Sequence, residues 1–212
     1  KENPEYWQAR TEMIEERQLG KGSVFGWHWL KVNMTSSSGD EPPWQLGETR
    51  VWEGTVELCK AGYHHSPTPF DGLEFAPGPI LSRVEASAPL SGDACKAASQ
   101  SRRLVAYRSV ERELRLFACD CAERALNRER EHGREPDRRS WAAVDVARQY
   151  ARGGATLAEL ESAARSAESA AAWSAAAWSA EAAALSAAEA ARSAERTWQA
   201  ERFNSVMLAL FE

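Results

Sequence analysis

Between Ala163 and Ala194, 18 of 32 residues are alanine, interrupted by serines, a few charges, Trp173, Trp178 and Leu185. No glycine or proline follows Gly154, and alanine is the strongest helix former. Residues 156 to about 203 are therefore expected to form one long helix, with Thr156 and Glu159 as the capping box that starts it. At ~1.5 Å per residue such a helix is about 70 Å long, longer than a compact domain built from the rest of the chain. It must project, fold back on a partner, or be held between copies.

The faces of this helix can be computed from its sequence. With Glu161 at zero, Arg165 and Glu168 lie within about 40°, whereas Glu181, Arg192, Glu195 and Gln199 gather at roughly 160–220°. The polar stripe thus changes sides across the uncharged stretch 169–180. A helix resting on one core keeps one wet face, so two different partners are expected along its length. Trp173 and Trp178, about 140° apart, are expected to be covered by protein, with Leu185 and Trp198 as further anchors. The expectation is a protein partner or self-association through this helix, set against a simple solvated spacer.

Upstream of it, hydrophobic periodicity is helical from about residue 109. Leu114, Phe117, Ala118, Cys121, Ala122 and Ala125 share one face. His132-Gly133 closes that helix, Pro136-Asp137 opens another, and Gly153-Gly154 closes the second. The N-terminal half reads differently. A helix over 1–20 carries Trp7 and Ile14, after which residues 24–32 alternate as a strand with Phe25, Trp27 and Trp29 on one face. A strand pair is expected across 48–59, with Gly54 at its turn, then a tight turn at Tyr63-His64-His65 and strands over 80–84 and 104–110. The fold class is α+β: an N-terminal helix (1–20), a small, mainly antiparallel β module (21–110), a two-helix segment (111–155) and a long alanine-rich C-terminal helix (156–212).

Charge and composition exclude several function classes. Basic residues between Arg112 and Arg152 are matched almost one for one by Glu and Asp, so no basic face points to nucleic acid. Mean hydropathy is -0.53, and the longest uncharged run is twelve residues against roughly 20 for a membrane span. A soluble protein without a membrane partner is expected. The four cysteines, Cys59, Cys95, Cys119 and Cys121, have no disulfide-framework or zinc-knuckle spacing, which fits reduced, mostly buried thiols in a cytoplasmic compartment. The chain begins at Lys1, so further residues can precede it.

No strong catalytic signature is present, and no cofactor is expected. Gly20-Lys21-Gly22-Ser23 lacks the upstream glycine of a phosphate loop. Cys59, His64 and Cys95 could meet around a metal, but their spacing is not that of a knuckle, so no metal is assigned. Cys59 and His64 could form a nucleophile pair, but no orienting acid stands out. The alternative to a binding protein is a ligand pocket or enzyme site around His28, Cys59, His64 and Asp71.

Several stretches together resemble a domain family common in phages and prophages. They are Phe25-Gly26-Trp27-His28-Trp29-Leu30, Gly47-Glu48, the strand ending in Cys59, Gly62-Tyr63-His64, and Pro69-Phe70-Asp71-Gly72-Leu73. Phe75-Ala76-Pro77-Gly78-Pro79-Ile80, Val84-Glu85 and the helix around Leu116-Phe117-Ala118-Cys119-Asp120-Cys121 continue the pattern. The resemblance runs from about Val24 to Trp198 and leaves out the first helix. One departure is Cys95, which stands before Lys96 where the family carries an acidic residue. The family has no established activity. What it implies is a non-enzymatic binding or assembly protein of a mobile element, either virion-associated or a host-interaction or anti-defence factor acting in the bacterial cytoplasm.

Overall fold

The structure is a computed structural model that describes residues 22–37, 41–178 and 185–212, with the backbone alone given for 170–178 and 185–193. The expected helix over 1–20 lies outside the described residues. Among the described residues seven strands come first: β1 (Val24–Leu30), β2 (Thr49–Val51), β3 (Tyr63–His65), β4 (Ile80–Ala86), β5 (Ser91–Gly92), β6 (Ala97–Ser99) and β7 (Ser101–Ser109), with the short helix α1 (Pro69–Leu73) between β3 and β4. Four helices follow: α2 (Glu111–Glu131), α3 (Arg138–Ala151), α4 (Leu157–Trp178) and α5 (Leu185–Leu208). The chain is α+β, with antiparallel sheets in its N-terminal half.

The chain divides into two compact units. The first comprises the described residues up to Val110 together with Phe203–Glu212, and the second is Glu111–Arg202. This differs from an expected boundary that kept 156–212 together: the last turn of α5 and the residues after it complete the β unit.

In the β unit one antiparallel sheet has the order β1-β4-β7-β2 and a second has β3-β6-β5. β1 pairs with β4 in one uninterrupted register, from Val24 opposite Ala86 to Leu30 opposite Ile80. An isolated bridge between Trp27 and Ser66, with both N–H···O bonds at 2.8 Å, ties β1 to the end of β3. Gly26 permits this approach, since a Cβ there would stand 2.6 Å from His65 Cδ2. Leu30, Trp44, Tyr63, Ile80, Val84 and Leu104 form the central apolar cluster. A second cluster is aromatic. The Phe203 ring lies 6.2 Å from Trp29 and 5.8 Å from Phe70, and Phe211 meets Trp27 edge-on at 4.9 Å. Phe203 and Met207 are fully buried, and Asn204 Oδ1 accepts the Phe70 N–H at 3.0 Å.

Three sequence expectations change here. The strand pair across 48–59 reduces to β2 alone, and the segment after it is irregular apart from a Glu57–Ala61 bridge. Gly54 does sit in a glycine-only conformation, at φ +151°. Tyr63–His65 is a strand instead of a turn, because it pairs with β6, which the sequence reading did not include. The strand expected from Leu104 begins three residues earlier, so Arg102 and Arg103 lie within β7.

The helical unit follows its local signals closely. Asp137 caps α3 by accepting the Arg139 N–H at 2.8 Å, and Gly133 and Gly153 take the positive φ that ends the preceding helices. Thr156 and Glu159 make the capping box reciprocally, with bonds of 2.7 and 3.3 Å. α2 packs on α3 and α3 on α4. Arg148 of α3 reaches Asp120 (2.7 Å) and Glu123 of α2. α5 meets α2 through Glu195, which pairs with Arg124 at 2.7 Å and with Arg128. The long helix is thus described as two, α4 and α5, and residues 179–184 between them lie outside the described residues. So do the side chains of Trp173, Trp178 and Leu185, and with them the change of wet face. Among the described residues no helix is long and apolar enough to cross a membrane.

Candidate functional site

The β unit carries a cleft of about 560 Å³ whose walls come from several parts of the chain. β1 supplies Trp27, His28 and Trp29, and the turn after it Ser36 and Glu41. The segment 59–66 supplies Cys59, Lys60, Tyr63, His64 and His65, and β7 supplies Arg102. Trp52, Phe75 and Lys96 also line it. The volume falls in the range typical of small-molecule sites.

Arg102 is the central feature. Neighbouring side chains on a strand point to opposite faces, so β7 sends Arg102 and Arg103 in different directions. Arg103 meets Glu85 at 2.5 Å, directly across β4–β7. Arg102 turns instead toward Trp44 and Tyr63, its guanidinium carbon 4.6 and 5.3 Å from their ring centres. Its Nη1 donates to the carbonyl of His64. Arg102 is 2% exposed, its Nε has no partner, and no carboxylate among the described residues makes an ion pair with it. Burial lowers its pKa to about 10, so it remains charged at neutral pH. The nearest favourable charge is Glu41, in the same cleft, and a buried guanidinium with no direct ion pair is costly.

Three histidines surround this charge, and all are held neutral. Burial first, then the Arg102 guanidinium, lowers His65 to about 4 and pushes His64 down as well. His28 is lowered far below its ordinary value by the same two causes, assisted by His64 and His65. The tautomer of His64 follows from a neighbour. Cys59 adopts an unusual left-handed φ of +68°, and its backbone N–H donates to His64 Nε2 at 2.8 Å. The accepting Nε2 is therefore unprotonated and the ring proton sits on Nδ1. His28 Nε2 lies 3.3 Å from Ser36 Oγ, and Ser36 donates to Glu41 at 3.4 Å. His65 Nδ1 is buried without a partner.

The cleft unites three of the four pocket residues expected from the sequence: His28, Cys59 and His64. Asp71 does not line it. Its carboxylate accepts the Thr68 hydroxyl at 2.7 Å, and its N–H donates back to Thr68 Oγ1 at 3.2 Å, which fixes the first turn of α1. The Cys59/His64 nucleophile arrangement is not formed, because the base nitrogen is occupied by the Cys59 N–H and not by its thiol. Cys95 lies outside the lining, and among the described residues no group of three or more His, Cys, Asp or Glu could hold a metal. Trp198, expected as a helix anchor, is half-buried within the helical unit, with the Arg124 guanidinium 4.5 Å from its ring centre.

No protein-family model, curated protein or solved structure matches this chain. The reading of the cleft rests on its own geometry.

Arg102, His65, Ser36, Glu41 and Lys96 were missed from the sequence. One signal was available for Arg102. Two adjacent arginines leading into the apolar run Leu104-Val105-Ala106 must face opposite sides of a strand, so at least one enters the interior if the strand starts early. Lys96 stands over Phe75, its ammonium 4.1 Å from the ring centre, and a hydrogen bond to the Cys59 thiol raises its pKa.

Proposed function

We propose that this chain is a non-enzymatic binding protein in which the β unit receives a ligand in its cleft and the alanine-rich helices act as spacer or association surface. The observation that carries the reading is Arg102, a buried cation that makes no ion pair among the described residues and lines a cleft of ligand size. A charge kept at that cost in stability is the mark of a site built for something outside the fold. Three neutral imidazoles and four indole or phenol rings offer contact and hydrogen bonding, while the His64 base nitrogen is taken by the Cys59 N–H and not by its thiol. The motif resemblance supports a phage- or prophage-type accessory role, virion-associated or directed at the host.

The test exposes the protein to the small-molecule fraction of a bacterial extract and follows amide shifts by NMR. Changes confined to residues around His28, His64 and Arg102, with the bound compound recovered unaltered, are expected. No retained compound, or one recovered chemically converted, overturns the reading. For the helices, light scattering is expected to show association that a Trp173→Ala/Trp178→Ala variant weakens. A strictly monomeric wild type removes that part.

A further inference from the structure

The cleft carries cationic and flat aromatic features together, and this combination defines a ligand class. Among its lining residues the charges are Lys60, Lys96 and Arg102 against Glu41. Lys60 is already engaged with Glu57 at 2.5 Å, and Glu41 is engaged with Ser36 and with Arg50 at 3.7 Å. Among the described residues the lining charges that make no ion pair are Arg102 and Lys96, both positive. Arg102 has an Nε without a partner inside a low-dielectric wall, where a charge-assisted bond to an oxyanion is stronger than in water. Lys96 is the rim cation, beside Cys59 and over the ring of Phe75.

Trp52 and Phe75 also line the cleft, and they are 37% and 43% exposed although large and apolar. Both share the cleft lining with Arg102, and Lys96 stands over the Phe75 ring. A planar ring stacking on either would remove that apolar surface from water. The histidines add polarity without adding charge, since all three are held neutral at pH 7.

Resting on the binding reading above, the geometry points to a small aromatic oxyanion as the ligand. Its phosphate or carboxylate is held by Arg102 with Lys96 at the rim, and its flat ring lies against Trp52 or Phe75. Mononucleotides and aromatic carboxylates share this chemistry. Arg102 is then a specificity residue for the anion.

Isothermal titration at pH 7 tests this with AMP and UMP as the phosphate arm and indole-3-acetate and benzoate as the carboxylate arm. Adenosine, indole and inorganic phosphate are the matched controls. One arm is expected to bind at least tenfold more tightly than its neutral ring and than inorganic phosphate, and which arm does so identifies the anion. Arg102→Met is expected to lose at least tenfold in that affinity while its Tm stays at or above wild type, because the buried charge is removed with its shape kept. If Arg102→Met does not fold, the half-exposed Lys96→Met carries the test, with at least a threefold loss expected.

Neutral rings binding as tightly as their anions, or variants binding like wild type, overturn the assignment. So does a failure of every probe while the bacterial extract still yields a cleft ligand, and the binding reading survives in that case. Failure of probes and extract together removes both.

Discussion

The ring of Phe203 lies 6.2 Å from that of Trp29, tilted by 37°, and is fully buried. One residue comes from the last turns of α5 and the other from β1, so the β unit is not finished until nearly the whole chain has been made. Phe203→Ala is expected to destabilise that unit by about 3–5 kcal/mol, as large-to-small aromatic changes in cores do. Native-state hydrogen exchange of the Trp29 and Leu81 amides reads it. Protection unchanged from wild type would show that the C-terminal residues add nothing to the sheet.

Glu85 and Arg103 form a buried ion pair at 2.5 Å, with side-chain exposures of 0% and 9%, and Ser23 donates to the same carboxylate at 2.9 Å. Removing Glu85 takes this carboxylate away from the buried Arg103 guanidinium. Glu85→Ala is expected to cost about 3–5 kcal/mol, whereas Glu85→Leu with Arg103→Met is expected to fall within about 1 kcal/mol of wild type. Denaturant melts of the two variants decide it. A double variant as unstable as the single would mean the pair does more than neutralise itself.

Acid should weaken the β unit before its carboxylates titrate. His65 has a folded pKa of about 4 against about 6.5 unfolded. Above pH 6.5 both states are neutral and the group contributes nothing. As pH falls from 6.5 to 4 the unfolded state takes up a proton that the folded state refuses, so stability drops, by about 3 kcal/mol at the lower end. His28 and His64 act in the same direction. Urea midpoints measured at pH 7, 6 and 5 should decline, and His65→Gln should flatten the decline. A constant midpoint over this range would contradict the lowered pKa of the three rings.

Gly26 sits where a Cβ would meet His65 Cδ2 at 2.6 Å and the Ser66 carbonyl at 3.1 Å. Ser66 is held by its bridge to Trp27 and cannot retreat. Gly26→Ala is expected to cost about 1–3 kcal/mol from overpacking, and less in a His65→Ala background because the two sites share the contact. Additive losses in a double-mutant cycle would place the strain elsewhere.

How far the sequence could be read depends on the range of the forces involved. The caps at Thr156 and Asp137, the glycine stops at Gly133 and Gly153 and the helical stripe of α2 concern residues a few positions apart, so their signals survive without a partner. The strands β1 and β4 were legible because one or both faces are apolar. β5 and β6 were not, since Ser91-Gly92 and Ala97-Ala98-Ser99 have little strand character and are extended only because β3 lies alongside.

The cleft shows the same division. His28, Cys59 and His64 stood out by residue type, and the fold does bring them together. Asp71 stood out equally and proved to be a cap, because a carboxylate three residues after Thr68 finds that hydroxyl first.

By itself the sequence determined an α+β chain with an antiparallel β half and capped alanine-rich helices. Periodicity and capping act within a turn or two of chain, and alanine needs no neighbour to be helical. Only the tertiary structure decided that Phe203–Glu212 close the β unit, that β7 starts early enough to bury Arg102, and that the histidines around it stay neutral. Those outcomes rest on burial and on charges brought together from distant segments, and burial has no local signature.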